Sequence, residues 1–181
     1  MTRENARERK VATLLFADLA DFTRLGEAHD PEVVSALVAG TFERLSRVVE
    51  EHEGTIEKFA GDAMLAVFGV PVAHEDDPER AVRAGLAMQA AMAEVGAPTE
   101  GLVELALRIG VETGEVLVDH ARLGGQRDLF VTGHAVNVAA RLETAAPTGA
   151  VLVGPLAHDA TRGLIEYEAL EPLDLKGKAS V

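Results

Sequence analysis

The chain has 181 residues, 48% of them hydrophobic and 26% charged, enough for one soluble domain with its own core. Thirty acidic residues against 17 basic ones leave a formal charge of −13, which argues against nonspecific DNA or RNA binding, because that relies on basic surface to release counterions. With no cysteine, disulfides and thiolate metal sites are excluded, and a reducing, cytoplasmic location is expected.

Residues 1–9 form a charged lead-in, and residues 10–181 read as a single domain. Lys10 to Asp18 (KVATLLFAD) is a buried strand, and Asp18 ends its apolar run too early for a secretion signal. No run of about 18 uncharged apolar residues occurs, so no membrane insertion is expected. Asp30-Pro31-Glu32 supplies a cap, a first-turn proline and an acid. Apolar residues from Val34 to Val49 then follow at helical spacing, and Gly54 closes the helix. Thr55 to Phe59 and Ala63 to Phe68 make a hairpin with Asp62 at its tip. A second helix starts at Asp76-Asp77-Pro78-Glu79 and runs to about Val95. Leu105 to Val111 and Glu115 to Val118 read as two strands around a Thr113-Gly114 turn, followed by a short strand from Leu129 to Val131. Gly133 to Ala145 is a third helix, and Val151 to Val153, Ile165 to Tyr167 and Leu170 to Leu175 complete the sheet. This order suggests an α+β sandwich, with helices on one face of a mostly antiparallel, ferredoxin-like or palm-type sheet.

Asp18 and Asp62 both stand at chain turns beside apolar strands. Carboxylates placed so are partly desolvated and need donors or a cation, and hard divalent ions prefer such oxygen ligands. Each acid equally suits a simple turn cap. The histidines His29, His52, His74, His120 and His158 have no metal-ligand spacing and fit surface or cap positions, while Met64, Met88 and Met92 fit the core.

Five segments in order shift that balance. Phe16 to Thr23 (FADLADFT), Glu57 to Asp62 (EKFAGD), Arg108 to Glu115 (RIGVETGE), Gly133 to Glu143 (GHAVNVAARLE) and Leu175-Lys176-Gly177 resemble the motifs of class III adenylate and guanylate cyclase catalytic domains of bacterial type. The resemblance implies the class III nucleotidyl cyclase fold and a purine nucleoside triphosphate substrate, ATP favoured over GTP. The products would be the 3′,5′-cyclic monophosphate and pyrophosphate. It assigns two divalent metal ions, Mg²⁺ or Mn²⁺, to Asp18, Leu19 and Asp62. It also gives Phe22 and Thr23 to the phosphates, Asn137 to the ribose, Arg141 to the α-phosphate, Lys176 to the terminal phosphates, and Lys58 with position 130 to the base. In such domains two copies pack head to tail and share their sites, so a homodimer is implied.

Four residues depart from the family pattern. Asp21 replaces a glycine, Glu112 a histidine and His134 an aspartate. Phe130 stands where an aspartate or threonine accepts a hydrogen bond from the base, which phenylalanine cannot do. Asp128, two residues earlier, would share its strand face. These departures motivate an alternative, a weak or inactive cyclase-like module that binds nucleotide or dimerises to regulate attached domains. The chain stops three residues after Lys178, so a longer parent chain is expected.

Overall fold

The computed structural model describes residues 7–20, 22, 26–27, 29–95, 105–123 and 126–171. Its sheet has six strands: β1 (Arg7–Ala20), β2 (Thr55–Ala60), β3 (Ala63–Phe68), β4 (Ala106–Leu123), β5 (Gln126–Thr132) and β6 (Val151–Val153). Among the described residues, these helices pack on it: α1 (Pro31–Glu51), α2 (Asp77–Val95), α3 (His134–Ala145) and α4 (Pro155–Thr161). The strand order is β2-β3-β1-β4-β5, and all these pairs are antiparallel. β6 joins β4 in parallel, beside Ile109 to Val111, so the sheet is mixed at that point.

β1 is the central strand and explains the apolar run that marks it. Leu15, Ala17 and Leu19 face one side, where they meet Leu45 and Val49 of α1 and Met88 of α2. Ala12 and Leu14 face the other side, with Leu65, Val67, Val116, Val118 and Val131, and there Ala135 and Ala139 of α3 cover them. A strand buried on both faces shows no polar alternation. The helices therefore occupy both faces and not one, because the even-numbered residues of β1 are as apolar as the odd ones.

Asp30 caps α1 through Oδ1, which accepts the Glu32 N–H at 2.9 Å, and Pro31 begins the helix. The two strands expected around Thr113-Gly114 are one unbroken strand, β4. Gly114 is there for clearance: a Cβ would lie 2.9 Å from the Ala135 Cβ, so glycine lets α3 approach. β1 starts at Arg7, inside the expected lead-in, because its early residues pair with β4 as far as Arg7 opposite Asp119.

The C-terminal expectations need two corrections. Residues 165–167 are not a strand, and Pro155–Thr161, which was not expected to be helical, forms α4. Of the last expected strand, Leu170 and Glu171 are not in a strand, and residues 172–175 lie outside the described residues. Among the described residues, no helix is long and apolar enough to cross a membrane.

Candidate active site

Asp18 sits near the end of β1, and Asp62 at the tip of the β2–β3 hairpin. β1 and β3 pair in a register that sets Asp18 opposite Ala63, and the Leu19 N–H donates to the Asp62 carbonyl at 3.0 Å. The two acids are therefore held side by side by the backbone. Gly61 takes φ +63° in the hairpin turn, which glycine allows without steric cost. Leu19 itself is buried in the core, and its amide donates to Asp62, so that amide is not free for a phosphate. Phe22 is half-buried against the same core. Thr23, Asp21 and Lys176 lie outside the described residues.

One neighbour of the acids was not anticipated from the sequence. Arg108 on β4 lies opposite Asp18 in the register, and its guanidinium donates to Asp18 Oδ2 at 2.6 Å. Its Nε lies 3.8 Å from Glu143 Oε1 on α3, without a hydrogen bond of its own. Two partly buried carboxylates thus share one arginine, with Asp62 nearby. Burial pushes the Asp18 carboxyl above its ordinary range; the Arg108 hydrogen bond pulls it back, and the negative charge of Asp62 pushes it up again. Burial likewise raises Glu143, with the charge of Asp18 adding to the effect. The only sequence signal for Arg108 was its place in the RIGVETGE segment, since register is set by pairing across the sheet.

This acidic end fits divalent cations. Its donors are oxygens, Asp18 is only partly satisfied by Arg108, and the proximity of Asp62 costs energy that a cation would remove. Among the described residues no three acids or histidines gather tightly enough to hold a metal ion alone. A bound ion would therefore complete its shell with backbone carbonyl, water or phosphate oxygens.

The other expected site residues lie on different elements. Asn137 and Arg141 share α3; Asn137 is exposed, and Arg141 is half-buried with no ion pair among the described residues. Lys58 on β2 is half-exposed, with Nζ 3.5 Å from Glu57 Oε2. Phe130 on β5 is 42% exposed and pairs with Asp119, while Asp128 pairs with Ala121 two positions along. Among the described residues, clefts of about 590 and 670 Å³ lie elsewhere, one beside Gly114 and Thr132 and the other beside Leu152 and Tyr167.

Two of the departures have local explanations. Glu112 is buried and accepts the Thr113 N–H at 2.8 Å and the Ala157 N–H at 3.2 Å, which caps the start of α4. His134 is the exposed first residue of α3. His74 bridges Glu53 and Asp77, as a helix-entry residue would, and the three core methionines are buried.

The fold and this acidic strand end define a palm-like α+β domain of the nucleotidyl cyclase type. The family model described as adenylate and guanylate cyclase catalytic domain matches residues 4–181, and the chain belongs to that family. It is 35% identical over 137 residues to adenylate cyclase 1 of Rhizobium meliloti, covering 75% of this chain and 21% of that protein. The crystal structure of the adenylyl cyclase CyaB from P. aeruginosa superposes with a TM-score of 0.88 at 28% identity, over 96% of this chain and 91% of the other. That of the guanylyl cyclase Cya2 gives 0.88 at 32% identity, over 94% and 88%. The chain spans about a fifth to a quarter of the length of these curated relatives.

Proposed function

We propose that this domain is a metal-dependent purine nucleotidyl cyclase that acts as a homodimer in the cytoplasm, with ATP the favoured substrate over GTP. The observation that carries the reading is the backbone-enforced pairing of Asp18 and Asp62 at one end of the sheet, on a chain that also bears Asn137 and Arg141 along one helix. Asp18, Asp62 and the Leu19 carbonyl would hold two Mg²⁺ or Mn²⁺ ions. When bound, such ions lower the pKa of the ribose 3′-hydroxyl and stabilise charge on the departing pyrophosphate.

The protein's own groups do the positioning. Arg108 holds Asp18 in place through its 2.6 Å hydrogen bond, and would share that carboxylate with a bound cation. Asn137 orients the ribose, and Arg141 counters charge that develops on the α-phosphate. Lys58 meets the purine edge, with Phe130 covering the base in place of an acceptor, while the Phe22 and Thr23 backbone and Lys176 serve the phosphates. Arg141 has no ion pair within its own chain among the described residues, and Asn137 and Lys58 are exposed. Both facts suit a site completed by a second copy, in which one subunit supplies the acids and its partner supplies Lys58, Asn137 and Arg141.

Mixing two separately inactive variants tests this arrangement. With Asp18→Asn in one chain and Arg141→Ala in the other, random pairing gives half heterodimers, each with one intact site of two. Activity should then return to about a quarter of wild type. A mixture as inactive as its components would show that the acids and Arg141 do not meet across a dimer.

A further inference from the structure

β2 and β5 are the outer strands of the main sheet, yet the sheet curls until they touch. Glu57 sits at that seam. The β2–β3 register passes from Ile56 opposite Ala66 directly to Lys58 opposite Leu65, which leaves Glu57 as the extra residue of a β-bulge. A bulge bends its strand locally and re-aims a side chain. Glu57 is sent inward, with its side chain 2% exposed, while Lys58 beside it remains 53% exposed. Glu57 Oε1 accepts the N–H of Val131 on β5 at 3.4 Å, opposite Val118 of β4 in the register. Glu57 Oε2 is buried without a hydrogen bond, and the Lys58 ammonium lies 3.5 Å away.

We propose that Glu57 is a positioning residue for purine selection: its buried carboxylate pins the two sheet edges together and holds the Lys58 ammonium at the base-binding end of the site. The proposal rests on the reading of Lys58 as the residue that meets the base. Glu57 is too deeply buried to touch a nucleotide, so it acts through Lys58. A neutral side chain would hold the Val131 N–H equally well without placing a charge out of water. The carboxylate's negative charge gains its use only by fixing an ammonium that otherwise ranges on a flexible four-carbon stem. Lys58 lacks the help of an acid at position 130, so Glu57 is what anchors it.

The test compares Glu57→Gln and Glu57→Ala with wild type in the whole chain, through KM and kcat for ATP and GTP with Mn²⁺, and thermal melts. Glu57→Gln keeps an acceptor for Val131 and removes a buried charge, so it should melt at or above the wild-type temperature. It should raise KM for the preferred purine about tenfold, the equivalent of about 1.4 kcal/mol, with a smaller change in kcat, and bring the ATP to GTP selectivity toward unity. Glu57→Ala should lose the same selectivity and also melt lower. An unchanged ATP to GTP ratio in Glu57→Gln overturns the proposal, as does selectivity lost in Glu57→Ala alone, which would confine Glu57 to the strand seam. If wild type binds nucleotide without turnover, the cyclase reading fails, and the ratio of calorimetric Kd values for the two nucleotides tests Glu57 in its place.

Discussion

Gly110→Ala perturbs the joint between the sheet and the helix that carries Asn137 and Arg141. Gly110 lies on β4 under α3, and a Cβ added there would stand 2.2 Å from the Glu143 nitrogen, 2.3 Å from the Ala139 oxygen and 2.9 Å from the Glu143 Cα. All three are backbone atoms, so no side chain can rotate away. Ordinary contact begins near 3.4 Å, and relief therefore requires α3 to back off the sheet by about 1 Å. Overpacking of this kind costs about 2–3 kcal/mol, and for a domain of this size that lowers Tm by roughly 4–12 °C. The same displacement moves Asn137, Arg141 and Glu143 relative to Asp18 and Asp62, and a misplacement of about 1 Å costs on the order of 100-fold in rate. The variant should remain folded in a thermal melt at 20 °C and yet lose most of its turnover with Mn²⁺ and ATP. A melt within a degree of wild type together with full activity would refute the packing of α3 on Gly110 and the functional weight given to α3.

The remaining expectations concern charge and the base. Glu143 has its carboxyl raised by burial and by Asp18, so its ionised form is less favoured folded than unfolded. That penalty is absent below the ordinary carboxylate pKa of 4.5 and develops as pH rises through the raised folded value. Glu143→Gln should accordingly raise Tm at pH 7 in chelator, with the gain shrinking toward pH 4; a gain that grows on acidification contradicts the burial argument. Phe130→Asp supplies the acceptor that phenylalanine lacks and should change the ATP to GTP preference about tenfold. Identical preference in the two proteins would remove position 130 from the base site.

The parts of this domain that were legible in its sequence are those fixed by neighbours along the chain. Asp30-Pro31 announced α1, and the Asp30 carboxylate does cap it. The AGD turn placed Asp62 at a hairpin tip between β2 and β3. The rest depends on contacts across the fold. Gly114 reads as a turn residue, and only the approach of Ala135 shows that it is a spacer within a continuous strand. The seven-residue α4 draws part of its stability from Glu112, which lies 45 positions upstream of Ala157. Arg108 on Asp18 and Glu57 on Val131 follow from strand register and from a bulge, and neither leaves a local pattern.

The most direct measurement of the central claim is conversion of ATP or GTP by purified protein with Mn²⁺, following cyclic nucleotide and pyrophosphate together. Wild type should form both in equal amounts. Chelator, Asp18→Asn or Asp62→Asn should each reduce the rate by about 100-fold or more, because the paired acids hold the ions that activate the hydroxyl and support the leaving group. Cyclic product formed equally well by wild type and both aspartate variants, or by none of the three, would contradict the account.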